Sequence, residues 1–172
     1  MVELAAIVPV AWAIATVPDQ LLIASAIFGW TLLVLALIDW KTLSLPNMLT
    51  YFLLITGIAA AYFFDRDGLP DHLIGAVGGF VAFSLVGLLY KRLRGRDGLG
   101  QGDAKLLAGL GAWVSWQGLP TLVFLGTVTA LIFGLMRCAW GRRLALDDRL
   151  PFGPFLALGG WIVWLYGPLA LR

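Results

Sequence analysis

Residues 21–39 read LLIASAIFGWTLLVLALID, an almost wholly apolar run that ends on Asp39. A helix of about 20 apolar residues, rising 1.5 Å per residue, crosses the roughly 30 Å hydrocarbon core of a bilayer. Residues 32–38 do not alternate between apolar and polar, which argues against a strand of a membrane β-barrel. The stretch therefore predicts a membrane-spanning helix with an acidic residue at its end.

The composition of the whole chain agrees with this prediction. Of its 172 residues, 60% are hydrophobic and only 13% are charged. A soluble globular domain is usually about 45–50% apolar and about 25% charged. We therefore predict an all-α fold, a polytopic bundle of membrane helices that forms a single membrane-embedded domain over residues 1–172.

Seven apolar segments predict about seven transmembrane helices. They cover residues 2–17, 21–38, 48–64, 72–90, 104–116, 121–140 and 155–171. Small residues four positions apart, a spacing that lets membrane helices pack closely, recur in two of them. These are Gly75 and Gly79, and Gly126, Ala130 and Gly134. The longest polar stretch, residues 91–101, is the only loop long enough to act as a lid.

The basic residues predict the orientation of the chain. With seven crossings, one side holds most of them: Lys41, Lys91, Arg92, Arg94, Arg96, Lys105, Arg137, Arg142, Arg143 and Arg149. The other side holds Arg66 and Arg172 together with Asp19, Asp65, Asp67 and Asp71. By the positive-inside rule, the first side and the N-terminus are cytoplasmic. Topology and anionic lipids account for the basic loops, so membrane lipids but no nucleic acid are expected partners.

Two aspartates, Asp39 and Asp103, lie on this cytoplasmic side at the ends of apolar segments. Ionisable groups at the edge of a membrane are costly and usually functional. Asp103 has a structural explanation, because it precedes the segment that starts at Ala104 and can cap that helix. Asp39 has none, since the helix dipole disfavours a carboxylate at a C-terminus. A second carboxyl that shares a proton, or Lys41 or Lys105, could offset its cost.

An aspartic protease dyad fits this pair of carboxyls. Two neighbouring carboxyls cannot both ionise cheaply, so one takes a proton from water while the protonated one polarises a peptide carbonyl. Such chemistry needs no metal and no organic cofactor. Gly100 and Gly102 flank the second acid, where they would allow backbone angles that other residues avoid and the close approach of another segment. They are predicted to shape the site.

Other functions fit the sequence less well. Ion-coupled transporters carry their acids near the middle of the membrane on broken helices, whereas these acids are at helix ends. A purely structural membrane protein would leave the cost of Asp39 unexplained. A serine triad has no support either, because Ser44, Ser84 and Ser115 have no adjacent base and His72, the single histidine, lies on the opposite side.

Three stretches resemble the prepilin peptidases, or type IV leader peptidases, which are membrane aspartic proteases of the GxGD kind. They are residues 38–50 (IDWKTLSLPNMLT), 98–107 (GLGQGDAKLL) and 151–157 (PFGPFLA). The resemblance implies that Asp39 and Asp103 are the catalytic pair. It also implies a bacterial inner-membrane enzyme of type IV pilus or type II secretion systems. Its substrates would be prepilin or pseudopilin precursors, whose short basic leader is cut at the cytoplasmic face.

A protease of the presenilin type, acting on other membrane helices, is the alternative within the GxGD class. Ile38 before the first acid and the Leu-Pro-Asn of residues 45–47 favour the prepilin class. Many bacterial members also carry a cytoplasmic domain with paired Cys-x-x-Cys motifs, which is linked to N-methylation of the new pilin terminus. These 172 residues contain one cysteine, Cys138. We therefore expect peptidase activity without methyltransferase activity.

Overall fold

The computed structural model describes residues 2–95, 100–140 and 151–168. Its described residues form helices and no strands, so the predicted all-α fold is confirmed. In chain order, the elements are α1 (Val2–Thr16), a 3-10 turn (Asp19–Leu21), α2 (Leu22–Thr42), α3 (Asn47–Phe64), α4 (Leu69–Arg94), α5 (Gln101–Ala139) and α6 (Gly153–Tyr166).

Four helices of the described part are long and apolar enough to cross a membrane. They cover Asp19–Thr42, Asn47–Phe64, Leu69–Leu93 and Gln101–Ala139. α4 turns much of its apolar surface outward, with exposed side chains at Val77, Phe80, Leu85, Leu88, Leu89 and Leu93. Such a surface suits contact with lipid. The count of seven crossings and the cytoplasmic N-terminus stay predictions.

α5 covers two of the predicted segments, 104–116 and 121–140, and is broken near the end of the first. Ser115 has φ 60° and ψ 175°, which is not helical, so the element consists of residues 101–114 and residues 116–139 on either side of a kink. The break falls slightly before the predicted gap at 117–120. Pro120 lies inside the second half, five residues after the break, where it leaves the carbonyl of Trp116 without its helical N–H donor.

The two halves of α5 run in opposite directions, as their contacts with α6 show. From the start to the end of α6, its contacts move toward higher residue numbers in the first half of α5 and toward lower residue numbers in the second half. The pairs are Leu110–Gly160 and Trp113–Trp164 in the first half, and Gly126–Phe155, Leu122–Gly159 and Gly118–Val163 in the second. The chain therefore turns back at Ser115, and the first half returns its N-terminus to the end of the bundle where α2 ends.

Glycines bring α4 directly onto the first half of α5. A Cβ added at Gly75 would lie 2.6 Å from the carbonyl oxygen of Gly111, and one added at Gly79 would lie 2.8 Å from that of Leu107. Real Cβ atoms do not approach backbone so closely, so only glycine fits. The packing role predicted for the Gly75 and Gly79 pair is confirmed. Gly126 likewise faces the backbone of Phe155 in α6, at 3.1 Å.

An aromatic cluster joins α2, α5 and α6 in the core. Phe28 stacks on Trp113 with ring centroids 4.5 Å apart, and Trp164 meets Trp113 edge-on at 5.2 Å. Both indoles also find polar partners: Trp113 Nε1 donates to the carbonyl of Leu53 in α3, and Trp164 Nε1 donates to Ser25 Oγ in α2, each at 2.9 Å. These contacts fix α6 against α2.

Three sequence-based expectations need correction or depend on residues outside the described part. Residues 91–101 do not form one loop, because α4 continues to Arg94 and ends on Gly95 with φ 66°. Gln101 already belongs to α5, and residues 96–99 of the predicted lid are outside the described part. So are the end of the last predicted segment, residues 169–171, and five of the arginines behind the predicted orientation: Arg96, Arg142, Arg143, Arg149 and Arg172.

Candidate active site

Asp39 lies in the last turn of α2 and faces the interior, with 5% of its surface exposed. The helix continues to Thr42 and ends at Leu43, whose N–H donates to the carbonyl of Asp39 at 2.8 Å. Leu43 has φ 51° and ψ 36°, the left-handed conformation that residues other than glycine seldom adopt. This sharp end of the helix turns the chain back, so that residues 43–46 lie beside Asp39.

The start of α6 stabilises the buried carboxylate of Asp39. Gly153 is the first residue of α6, and its N–H donates to Asp39 Oδ2 at 3.0 Å. Because a helix N-terminus attracts negative charge, this contact offsets part of the cost of burial and of the unfavourable end of α2. Neither lysine considered from the sequence does so. Lys105 Nζ donates to Asn47 Oδ1 at 2.7 Å, and Lys41 is exposed.

Asp103 lies within the first turn of α5, because the helix begins at Gln101 instead of Ala104. Its N–H donates to the carbonyl of Gly100 at 3.1 Å, and the backbone N–H of Gly100, just before the helix, favours the charge of its carboxylate. Asp103 therefore caps the helix from its third position, as the acid of a capping box does. The expected capping role is compatible with a position in the site.

The two aspartates line one cavity of about 440 Å³. The end of α2, residues 43–46, and the starts of α3 and α5 form its walls. The lining residues are Asp39, Leu43, Ser44, Leu45, Pro46, Asn47, Gly100, Gln101, Gly102, Asp103 and Lys105. All four residues predicted for the site, Asp39, Asp103, Gly100 and Gly102, are thus brought together.

The two glycines of the site differ in what they contribute. Gly100 has φ −70° and ψ 141°, a conformation open to any residue, so its conformational freedom is not used. Gly102 is helical, and a Cβ there would lie 3.1 Å from the Cβ of Leu45. The absence of a side chain at Gly102 therefore allows α5 to approach the loop between α2 and α3 closely.

The sequence profile of the type IV leader peptidase family matches residues 26–135, which include both Asp39 and Asp103. This match covers well over half of the chain. The chain belongs to the type IV leader peptidase family. The resemblance inferred from the three motifs is therefore confirmed.

Several curated proteins are similar to this member of the family over most of its length. A protein of Dichelobacter nodosus is 41% identical over 141 residues, which is 82% of this chain and 48% of that protein. One of Aeromonas salmonicida is 36% identical over 169 residues, 98% of this chain and 58% of that protein. One of Pseudomonas aeruginosa is 40% identical over 149 residues, 87% of this chain and 51% of that protein.

Each of these relatives is named prepilin leader peptidase/N-methyltransferase. The chain spans about half the length of these curated relatives, and no solved structure matches it.

Sequence reasoning missed one residue that contacts this site, Gly153. Its contact with Asp39 joins residues 114 positions apart, and helical periodicity carries no signal for such a pair. The only signal was the PFGP stretch at 151–154, which the resemblance had marked without assigning it a role. That stretch lies beyond the 26–135 match to the family profile.

Proposed function

We propose that this chain is an aspartic endopeptidase of the bacterial inner membrane that removes the short basic leader from prepilin or pseudopilin precursors. The observation that carries the proposal is that Asp39, at the end of α2, and Asp103, at the start of α5, line the same cavity. Membership of the type IV leader peptidase family supports the substrate class. The curated relatives' names point to the same substrates.

The dyad would act through one shared proton. The ionised carboxyl takes a proton from water as the water oxygen attacks the scissile carbonyl carbon, and the protonated carboxyl gives its proton to the carbonyl oxygen. The tetrahedral diol then collapses and the C–N bond breaks. The leaving nitrogen receives a proton from the dyad, so the leader ends in a carboxyl and the pilin in a new amine.

The position of the cavity supports cleavage on the side predicted to be cytoplasmic. The cavity is built where α2 ends and where α3 and α5 begin, and Lys105 lines it. Asp65, Arg66 and Asp67 belong to the connection between α3 and α4, at the other end of these helices. A leader that carries basic residues in the cytoplasm would reach this cavity with its hydrophobic helix still in the membrane.

A pair of substrates tests this function in liposomes that contain the purified chain. One is a prepilin with its leader, and the other is a single-span membrane protein without a leader. We expect the chain to cut the first and leave the second intact. Cleavage of the second alone would indicate a GxGD protease of other membrane helices, and cleavage of neither would rule the peptidase out. A product heavier by one methyl group would contradict peptidase activity alone.

Gly102→Ala is expected to lower kcat/KM for the prepilin about tenfold. Its methyl would lie 3.1 Å from the Cβ of Leu45, which is 8% exposed, so residues 43–46 must shift away from Asp103. Displacing a site by about 1 Å can cost up to about a hundredfold, and a shift of a few tenths costs less. Gly78→Ala is the matched control, because no atom lies within 4 Å of a Cβ there. Equal rates for the two variants would refute the close-approach role of Gly102.

A further inference from the structure

Asp39 is the buried acid of the site, and its hydrogen bond comes from a distant part of the fold. We propose that Gly153 is a positioning residue, whose backbone N–H and missing side chain together fix the carboxylate of Asp39 in the cavity. The inference rests on the proposed function, because it concerns the orientation of a catalytic carboxyl. Three features of α6 carry it: its hydrogen bonds, its space and its packing.

At the start of α6, one backbone N–H has no partner within the helix, and it donates to Asp39. A helix begins with N–H groups that have no partner within the helix. Pro154 has no N–H, and the N–H groups of Phe155 and Leu156 both donate to the carbonyl of Phe152 at 3.1 Å. The remaining N–H, that of Gly153, donates to Asp39 Oδ2 at 3.0 Å. Every donor of the first turn is thus accounted for.

The space at Gly153 admits no side chain. A Cβ added there would lie 2.7 Å from Asp39 Oδ2, 3.1 Å from its Cγ and 3.3 Å from its Cβ. Contacts under 3.0 Å require something to shift. Even alanine would therefore push the carboxylate away or move the start of α6, and either change would distort the hydrogen bond.

The packing of α6 prevents the helix from yielding. A Cβ at Gly159 would lie 2.5 Å from the carbonyl oxygen of Leu122, so α6 rests directly on the backbone of α5. Trp164 is tied to Ser25 of α2 by a 2.9 Å hydrogen bond. Because α6 is fixed on two sides, a side chain at Gly153 is expected to displace Asp39.

The second carboxylate oxygen of Asp39, Oδ1, remains available for the reaction. Oδ2 is engaged by Gly153, while Oδ1 accepts no hydrogen bond from the described residues. Asp39 also lines the cavity that contains Asp103. Gly153 therefore holds one oxygen and leaves the other for water or for the shared proton.

Cleavage kinetics test the positioning role. Gly153→Ala should lower kcat about a hundredfold, the cost of misplacing a reacting group by about 1 Å, and leave KM unchanged. Gly160→Ala is the packing control in the same helix, since the atoms nearest to its methyl belong to the side chains of Leu110 and Leu122. It should lower thermal stability but keep kcat per folded enzyme. If Gly153→Ala retains the kcat of Gly160→Ala, the proposal is wrong.

Thermal unfolding tests the contact without any substrate. Gly153→Ala should lower the unfolding midpoint in the wild-type background and lower it less in an Asp39→Ala background, where the carboxylate is gone. Equal shifts in both backgrounds would overturn the proposal. Should Gly153→Ala fail to fold, the double variant is expected to be recovered folded, and its failure would count against the contact. Absence of cleavage by the wild type would refute the proposed function and leave this coupling intact.

Discussion

Asp39→Asn and Asp103→Asn will each lower the rate of prepilin cleavage by about a thousandfold or more. Asparagine preserves the shape of each side chain but can neither take a proton from water nor share one with the other acid. General acid and base groups contribute about 10²–10⁴-fold each, and a dyad loses both functions when one member is replaced. The readout is the initial rate of leader removal in liposomes at equal amounts of inserted protein.

The control for this experiment is Asp67→Asn. Asp67 is exposed, lies between α3 and α4 and is remote from the cavity, so the same substitution there should leave the rate unchanged. The Gly153 N–H can still donate to the side-chain oxygen of an asparagine at position 39, so that variant should remain folded. Cleavage at near the wild-type rate by either dyad variant would show that the two acids do not act as a pair.

Gly75→Ala should destabilise the fold strongly, by about 3 kcal/mol. Its methyl would lie 2.6 Å from the carbonyl oxygen of Gly111 and 2.7 Å from the carbonyl carbon of Ser115, and neither is a flexible side chain. α4 would have to separate from α5 at the kink, and overpacking of this kind costs about 1–3 kcal/mol or more. For a chain of this size, the unfolding midpoint should fall by about 10 °C.

Gly78→Ala is the matched control for this prediction, three residues further along the same helix. Nothing lies within 4 Å of a Cβ at Gly78, so alanine there keeps the midpoint or raises it, because alanine favours helix over glycine. The measurement is thermal unfolding of both variants in the same detergent. Equal midpoints would contradict the direct contact of the α4 and α5 backbones.

The all-α fold and the positions of both acids at helix ends could be predicted from the sequence, because both follow from local rules. Long apolar runs must be helical in lipid, and Asp39 and Asp103 fall at helix ends on one side once the segments are counted. Helix ends were harder to predict. Gly102 suggested a loop before Ala104, yet it lies inside α5, since its small size is needed against Leu45 and not for an unusual backbone angle.

Contacts between distant segments account for what the sequence could not predict. The negative charge of Asp39 at the end of α2 requires a stabilising partner, and Lys41 and Lys105 were the cations that the sequence suggested. The actual donor is the backbone N–H of Gly153. A backbone donor cannot be recognised from residue type, because every residue except proline has an N–H. Only the packing of α6 on α2 and α5 brings this one to Asp39.

The intact mass of a prepilin after incubation with this chain tests the central claim most directly. With the wild type, we expect two products whose masses add up to that of the precursor plus one water, with the break just before the hydrophobic helix. With Asp39→Asn or Asp103→Asn, the precursor mass should remain unchanged. An unchanged precursor with the wild type, or the same two products with either variant, would contradict the account.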